Sequence, residues 1–316
     1  MSDVYGFRSW QQPISWYHQD KTKSNHACLY CGESLVHPSE TPSDKEHLIA
    51  RKFGPPSTSE GRGFNFIFRC CRECNAEKAD AERHVSAVTL WTNPARRSDE
   101  SINSRAVHKA SREYHPEGGL VQDARTEHSV SLSIGGVLNF KFNYTGPPRL
   151  DDAAVHLLAS RQVQALFSLV TSDDPRERGG LTLLPRKWIY RFGRYFLHTD
   201  WGNPQVVEIT KRTLHWESQV LISTANGALK AILKCSPDER SGWFWALEWN
   251  RSTRVLGAIC DPDSLPAWLR DLPELDWRLL PEGRSRREVP IAPAEDLLFH
   301  GNSQTINDEL SNPGGV

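Results

Sequence analysis

Two pairs of cysteines frame a histidine in this chain. Cys28 and Cys31 lie in Cys-Leu-Tyr-Cys-Gly, and Cys71 and Cys74 repeat the spacing in Cys-Arg-Glu-Cys-Asn. A Cys-x2-Cys turn presents two thiolates to one metal ion, and two such turns complete the tetrahedron that structural zinc prefers. Cys70 would give the less usual Cys-x3-Cys spacing, so Cys71 is the expected ligand. Between the pairs stands Glu46-His47, and Asn75 follows the second pair directly. A neutral imidazole is a suitable base near pH 7. A carboxylate and an amide oxygen suit a hard cation such as Mg2+ or Mn2+, which keeps several waters. A base beside such a cation is the equipment that phosphodiester hydrolysis requires.

Short elements must position these groups. Lys45 to Ala50 reads as a strand, and residues 51–63 as a Pro-, Ser- and Gly-rich loop. Phe64 to Phe68 is expected to form a second strand. Asn75 to about Leu90 reads as a helix, rich in Ala, Glu and Lys and ended by Pro94. The order is knuckle, strand, loop, strand, knuckle, helix. Gly32 relieves the tight turn of the first knuckle. Adjacent strand residues point to opposite faces, so periodicity alone does not put Glu46 and His47 together. Glu82 and His84, further along the helix, read as surface positions.

The stretch Cys28–Lys78 resembles the HNH endonucleases, the ββα-metal nucleases. The matching pieces are the two Cys pairs, Glu46-His47-Leu48-Ile49, Asn65, Asn75 and Lys78, within about residues 26–85. Ala50-Arg51 stands where such proteins usually carry a proline. The resemblance implies that Glu46 and Asn75 ligate a catalytic Mg2+ or Mn2+ and that His47 is the general base. It implies that Asn65 holds the loop between the strands, and Lys78, one turn into the helix, is expected to approach substrate phosphate. The implied activity is endonucleolytic cleavage of DNA, with defence or mobile-element settings suggested by analogy. Two rival readings stay open: a non-catalytic zinc-stabilised module that binds nucleic acid or protein, and a nuclease acting on RNA.

The rest of the chain has another texture. Residues 1–25 are polar with scattered aromatics and are expected to lie over the first domain. Residues 95–118 form a charged, helix-containing linker whose Arg105, Lys109 and Arg112 suit either phosphate contact or a solvated face. Val130 to Tyr144 reads as a hairpin turning at Gly135-Gly136. A helix is expected from Asp151 or Asp152 to about Thr171, with Val155, Leu158, Val163, Leu166, Phe167 and Val170 on its buried side. Strands follow at 206–210, 219–223, 228–234, 242–250 and 255–259, with Asn226-Gly227 as a hairpin turn. Trp243, Trp245, Leu247 and Trp249 share one face by period two. A Trp-rich sheet offers either a platform for stacking bases or an aromatic core. The expected architecture is α+β: a nuclease domain with basic linker at 1–118, an antiparallel α+β recognition or partner domain at 119–282, and a disordered tail at 283–316.

With 316 residues, 24% charged and a net charge of −1, the chain lacks the strong positive charge of many stand-alone nucleic-acid binders. Local basic patches, a protein partner or a homodimer would compensate. Seven cysteines, an odd number, suit reduced thiols and a cytoplasmic setting. No apolar run is long enough for a membrane span, and no secretory signal is expected. Cys70, Cys235 and Cys260 are expected to be small buried hydrophobes.

Overall fold

The computed structural model describes residues 4–7, 25, 27–35, 41–50, 52–54, 67–115, 119–134, 138–171, 194–224, 227–237, 242–260, 265–275, 277–280 and 283–300. Helices and antiparallel sheets are mixed, as expected of an α+β protein. Strands β2 (Ser43–His47) and β3 (Ile67–Cys71) pair antiparallel, with Glu46 opposite Phe68 and His47 opposite Ile67. Helix α1 (Arg72–Trp91) follows β3 without a loop, and α2 (Glu100–Ala110) packs on it, capped by Asp99. Asp99 accepts the N–H groups of Ser101 and Ile102, two donors that a helix start leaves without partners.

A hairpin of β4 (Arg125–Ile134) and β5 (Leu138–Pro148) comes next, antiparallel as expected. Its turn at residues 135–137 lies outside the described residues. Helix α3 (Asp152–Thr171) then packs against α1. Its Val155, Leu158, Val163, Leu166 and Phe167 are buried as expected, and the Val170 side chain lies outside the described ones. From Leu158 to Ser168 every residue is buried, because α3 is covered on several sides and not on one. Its polar residues are therefore interior groups that must find partners.

The large sheet has the order β1-β7-β8-β9-β10-β6, antiparallel throughout, where β1 is Val4–Phe7, β6 Arg194–Leu197, β7 Ser218–Thr224, β8 Leu229–Cys235, β9 Trp243–Trp249 and β10 Thr253–Ile259. Both faces are covered. Trp243, Trp245, Leu247 and Trp249 join Leu229, Ala231, Leu233 and Val255 in a core shared with α3, α1 and the cysteine knuckles. The alternate residues Phe244, Ala246, Ile232, Leu256 and Ala258 form a second core with Trp216 and Trp268. The tryptophans of β9 are thus an aromatic core and not a platform for bases. Phe53, just after the Glu46–His47 strand, meets Trp249 edge-on with ring centroids 6.4 Å apart.

Four expectations change. Val4–Phe7 pairs with β7 of the large sheet instead of lying over the first domain. Residues 206–210 are helical, within α4 (Pro204–Thr213). Asn203 caps that helix by accepting the Gln205 N–H, Pro204 opens it, and Val206, Ile209, Thr210 and Thr213 make a buried stripe at helical spacing. The start of the expected tail is ordered: β11 (Trp277–Leu280) pairs with β12 (Gly283–Arg286), and residues 287–300 dock on the sheet. Asp296 forms a two-pronged pair with the buried Arg254, and Leu298 lies in the second core. The docking is close enough to require Gly202, where a Cβ would stand 2.5 Å from Pro290 O. Finally, one hydrophobic core runs from the knuckles to the sheet across the expected boundary near residue 118.

Candidate functional site

The first cysteine pair sits in a tight turn. Cys28 N–H donates to Glu33 O (2.8 Å) and Gly32 N–H to Cys28 O (2.9 Å). Gly32 adopts φ 82°, open to glycine without steric cost. Asn25 splints this turn to β3: its Nδ2 donates to Ala27 O and Arg69 O, and its Oδ1 accepts the Arg69 N–H. The second pair spans the strand–helix junction. Cys71 ends β3 and caps α1, and Cys74 lies in the first turn. Thiolates there face the positive end of the helix dipole.

Turn and junction bring the thiols of Cys28, Cys31, Cys71 and Cys74 within 4.8 Å of one another. The Cys71 Sγ lies 3.8 Å from that of Cys28 and 3.7 Å from that of Cys31. A tetrahedron with metal–sulfur bonds of about 2.3 Å has edges of about 3.8 Å, so the donor set fits an ion of that kind. As bare thiols the four compete. The hydrogen bond from Cys74 draws Cys28 down to about 4, burial pushes Cys31 up to about 12, and the contact with Cys28 pushes Cys74 up. A divalent cation would stabilise all four as thiolates. Cys70 is outside the cluster, fully buried, its thiol pushed up by burial. None of the seven cysteines is in a disulfide, and Cys260 is buried while Cys235 is half-buried.

Helix α3 supports the first knuckle from behind. Arg161 pairs with Glu77 at 2.7 Å and donates to Tyr30 O (3.4 Å), which also accepts from Gln164 at 2.7 Å. Burial opposes the Arg161 charge, but Cys74 and Glu77 hold its pKa above the ordinary value. A guanidinium acting on Cys74 would offset part of the negative charge that four thiolates on a divalent cation leave in excess.

Next to the knuckles lies a buried network. Lys78 Nζ stands 2.6 Å from Glu46 Oε1 and 2.8 Å from Glu82 Oε1, and donates to His47 O at 3.0 Å. Tyr30 OH donates to Glu46 Oε1 at 3.1 Å, and Ala50 N–H to Glu82 Oε1 at 3.1 Å. Burial works against the Lys78 charge, yet Glu82 and Glu46 raise its pKa overall. Burial raises Glu82, with Lys78 opposing. Tyr30 is pushed well up by burial and by Glu46.

Of the expected site residues, Glu46, His47 and Lys78 are brought together. Glu46 is buried and His47 half-buried, on opposite faces of β2 as strand geometry requires. Lys78, expected at substrate phosphate, is 1% exposed and its ammonium faces carboxylates. Asn75 is half-buried on α1, one turn before Lys78, and is not the cap, because the helix begins at Arg72. Asn65 lies outside the described residues. Glu82 and His84, expected on the surface, are both buried. His84 Nε2 accepts the Asp151 N–H, and burial together with His115 pushes its imidazole down to about 4. Reading by residue type missed Tyr30, Glu82, Arg161 and Gln164. The one available signal was the i, i+4 spacing of Lys78 and Glu82, which occurs as readily on a solvated face.

Comparison with protein-family models, curated proteins and solved structures finds no match to this chain. The resemblance of Cys28–Lys78 to HNH nucleases therefore stands on those residues alone. Among the described residues, no helix is long and apolar enough to cross a membrane.

Proposed function

We propose that the chain is a metal-dependent endonuclease of the HNH type that hydrolyses phosphodiester bonds in DNA. The observation that best supports this is the contact of Lys78 with Glu46 and with His47 O. Residues three apart share a helix face, so this contact turns the face that carries Asn75 and Lys78 toward the end of β2. In this reading Glu46, His47 and Asn75 make up one site near the cysteine cluster, and zinc on Cys28, Cys31, Cys71 and Cys74 is structural. Glu46 and Asn75 would hold a Mg2+ or Mn2+ ion, which supplies charge for the phosphate and the leaving oxygen. Lys78 and Tyr30 both engage Glu46 Oε1, which leaves Oε2 for the cation among the described residues. His47 takes the proton of the attacking water. One such site cuts one strand at a time.

A second reading, a zinc-stabilised binding module without catalysis, draws on the same network. Glu46 is 5% exposed and already neutralised by Lys78, as in a purely structural ion pair. Nicking of supercoiled plasmid with Mg2+ or Mn2+ decides between them. The nuclease predicts cleavage by the parent and a loss of about 100-fold or more in His47→Ala, the usual scale for a general base. Glu46→Gln keeps an acceptor for Lys78 and should also lose cleavage. A zinc-loaded parent that binds DNA and never nicks it would establish the binding module. RNA as a parallel substrate identifies the polymer.

A further inference from the structure

The charged stretch after α1 does not form a solvated face throughout. Helix α2 lays its last turns against α1 and closes a cavity of about 370 Å³. That size lies at the lower end of small-molecule sites, about 300–1,000 Å³. Lys52, Arg83, Arg105, His108, Lys109 and Arg112 line it. Two carboxylates also reach it. Glu82 is paired with Lys78 behind the wall, and Glu113 stands 3.6 Å from Arg83. The lining therefore carries an excess of positive charge.

Two of these cations are held where a solvated lysine or arginine would not be. Lys109 is 9% exposed, and its ammonium donates to the Ser86 hydroxyl. No carboxylate pairs with it among the described residues. Arg105 Nε is buried and has no hydrogen-bond partner among them. Burial is the first reason the Lys109 pKa falls to about 8; Glu113 and Glu82 oppose the fall, and Arg105 and Lys52 add to it. Burying a cation is costly, and an anion in the cavity would offset that cost together with the excess of positive charge on the lining.

We infer that this cavity is a phosphate-binding site, built by Lys52, Arg105 and Lys109 between α1 and α2, that takes a phosphate ester of a nucleic acid strand or of a free nucleotide. Arginine and lysine together suit that group: the guanidinium fork meets two oxygens and the ammonium supplies a point charge. The cavity abuts the Glu46–Lys78 network through Ala50 and Glu82. Phosphate binding itself does not depend on the nuclease reading.

The test is titration of the full-length, zinc-loaded protein with a short fluorescent DNA duplex and, separately, with a 5′-mononucleotide, without added Mg2+ or Mn2+. Arg105→Gln should weaken the ligand by about tenfold, the scale of one charge-assisted hydrogen bond. With the duplex it should reduce the salt slope by about one. Lys52→Gln should add to the loss. Lys109→Met is the stronger probe, but it alters a buried group, so the two more exposed variants carry the result if it does not fold. Lys211→Gln, on the exposed side of α4, controls for general loss of charge. Weakened duplex binding identifies backbone phosphate, and weakened mononucleotide binding identifies a free nucleotide. Variants that bind both ligands as the parent does, or lose no more than Lys211→Gln, overturn the inference. A parent that binds DNA through this cavity but never nicks plasmid would leave it standing and sink the nuclease.

Discussion

Lys78 Nζ and Glu46 Oε1 are 2.6 Å apart, and the two side chains are 1% and 7% exposed. The pair joins the middle of α1 to the strand that ends in His47, and Glu82 closes it from the other side. Removing one partner from such a group leaves uncompensated charge in the interior. Lys78→Met should cost about 3–5 kcal/mol in denaturant unfolding near pH 7.

The pH dependence of that loss follows from the signs. The folded Lys78 pKa is raised, so its contribution is complete below the ordinary lysine value of about 10.4 and fades as pH climbs through the folded value. Glu82 is also raised, so its ionisation costs stability as pH rises through the carboxylate range. In Lys78→Met both acids lose their counter-charge, and Glu82 titrates higher still. The difference between variant and parent should shrink as pH falls from 7 toward 4. A difference that grew on acidification would show that the carboxylates are not the groups left exposed by the change.

The neighbouring cysteines Cys70 and Cys71 should respond oppositely. Cys71→Ser removes a member of the thiol cluster, and with it bound metal and, because a structural ion contributes to folding directly, cooperative unfolding of the knuckles. Cys70→Ser lies outside the cluster and should keep the metal, with a modest stability loss from burying a hydroxyl. Elemental analysis of both purified variants checks this, and retention of a full metal equivalent by Cys71→Ser would contradict the assignment.

Gln162 couples the knuckle region to the sheet: Nε2 donates to Leu48 O at 3.5 Å, and Oε1 accepts Trp249 Nε1–H at 3.0 Å. Gln162→Leu keeps most of the volume but strands both partners, at a cost of about 1–3 kcal/mol. Pairing it with Trp249→Phe, which deletes the indole donor, should recover part of the loss in a double-mutant cycle. Strict additivity would mean that the bond carries no net energy.

Arg254 holds the C-terminal segment. It pairs with Glu248 and Asp296, and its guanidinium stacks 3.7 Å from the Trp201 ring centroid. Burial alone would raise Asp296, but Arg254 brings its pKa below the ordinary value. That stability is present above the ordinary aspartate value of about 3.9 and is lost as pH falls through the folded one. Asp296→Asn should therefore unfold more easily than the parent at pH 7, and the gap should close in acid. Limited proteolysis should release residues 287–300 earlier in the variant.

The local features were legible in the sequence because their causes are local. Two Cys-x2-Cys spacings and Gly32 specify turns that present thiols, whatever lies around them. Helix α3 and most strands of the large sheet follow from periodicity, and the choice of Cys71 over Cys70 follows from knuckle spacing. Residues 206–210 were misread because β-branched Val206, Val207 and Ile209 suit a strand, whereas the Asn203-Pro204 start and the packing of the opposite face select a helix.

Tertiary structure alone decided what these pieces meet. A lysine four residues before a glutamate reads as a solvated pair, and only the approach of β2 brings Glu46 to Lys78 and buries all three. Arg105 and Lys109 read as linker charges until α2 folds back on α1. The residues at 287–300 look like a polar tail because their few anchors, Asp296 and Leu298, depend on Arg254 and a sheet assembled from distant strands. Burial of a charge is a property of what surrounds it, and those surroundings come from parts of the chain far away in sequence.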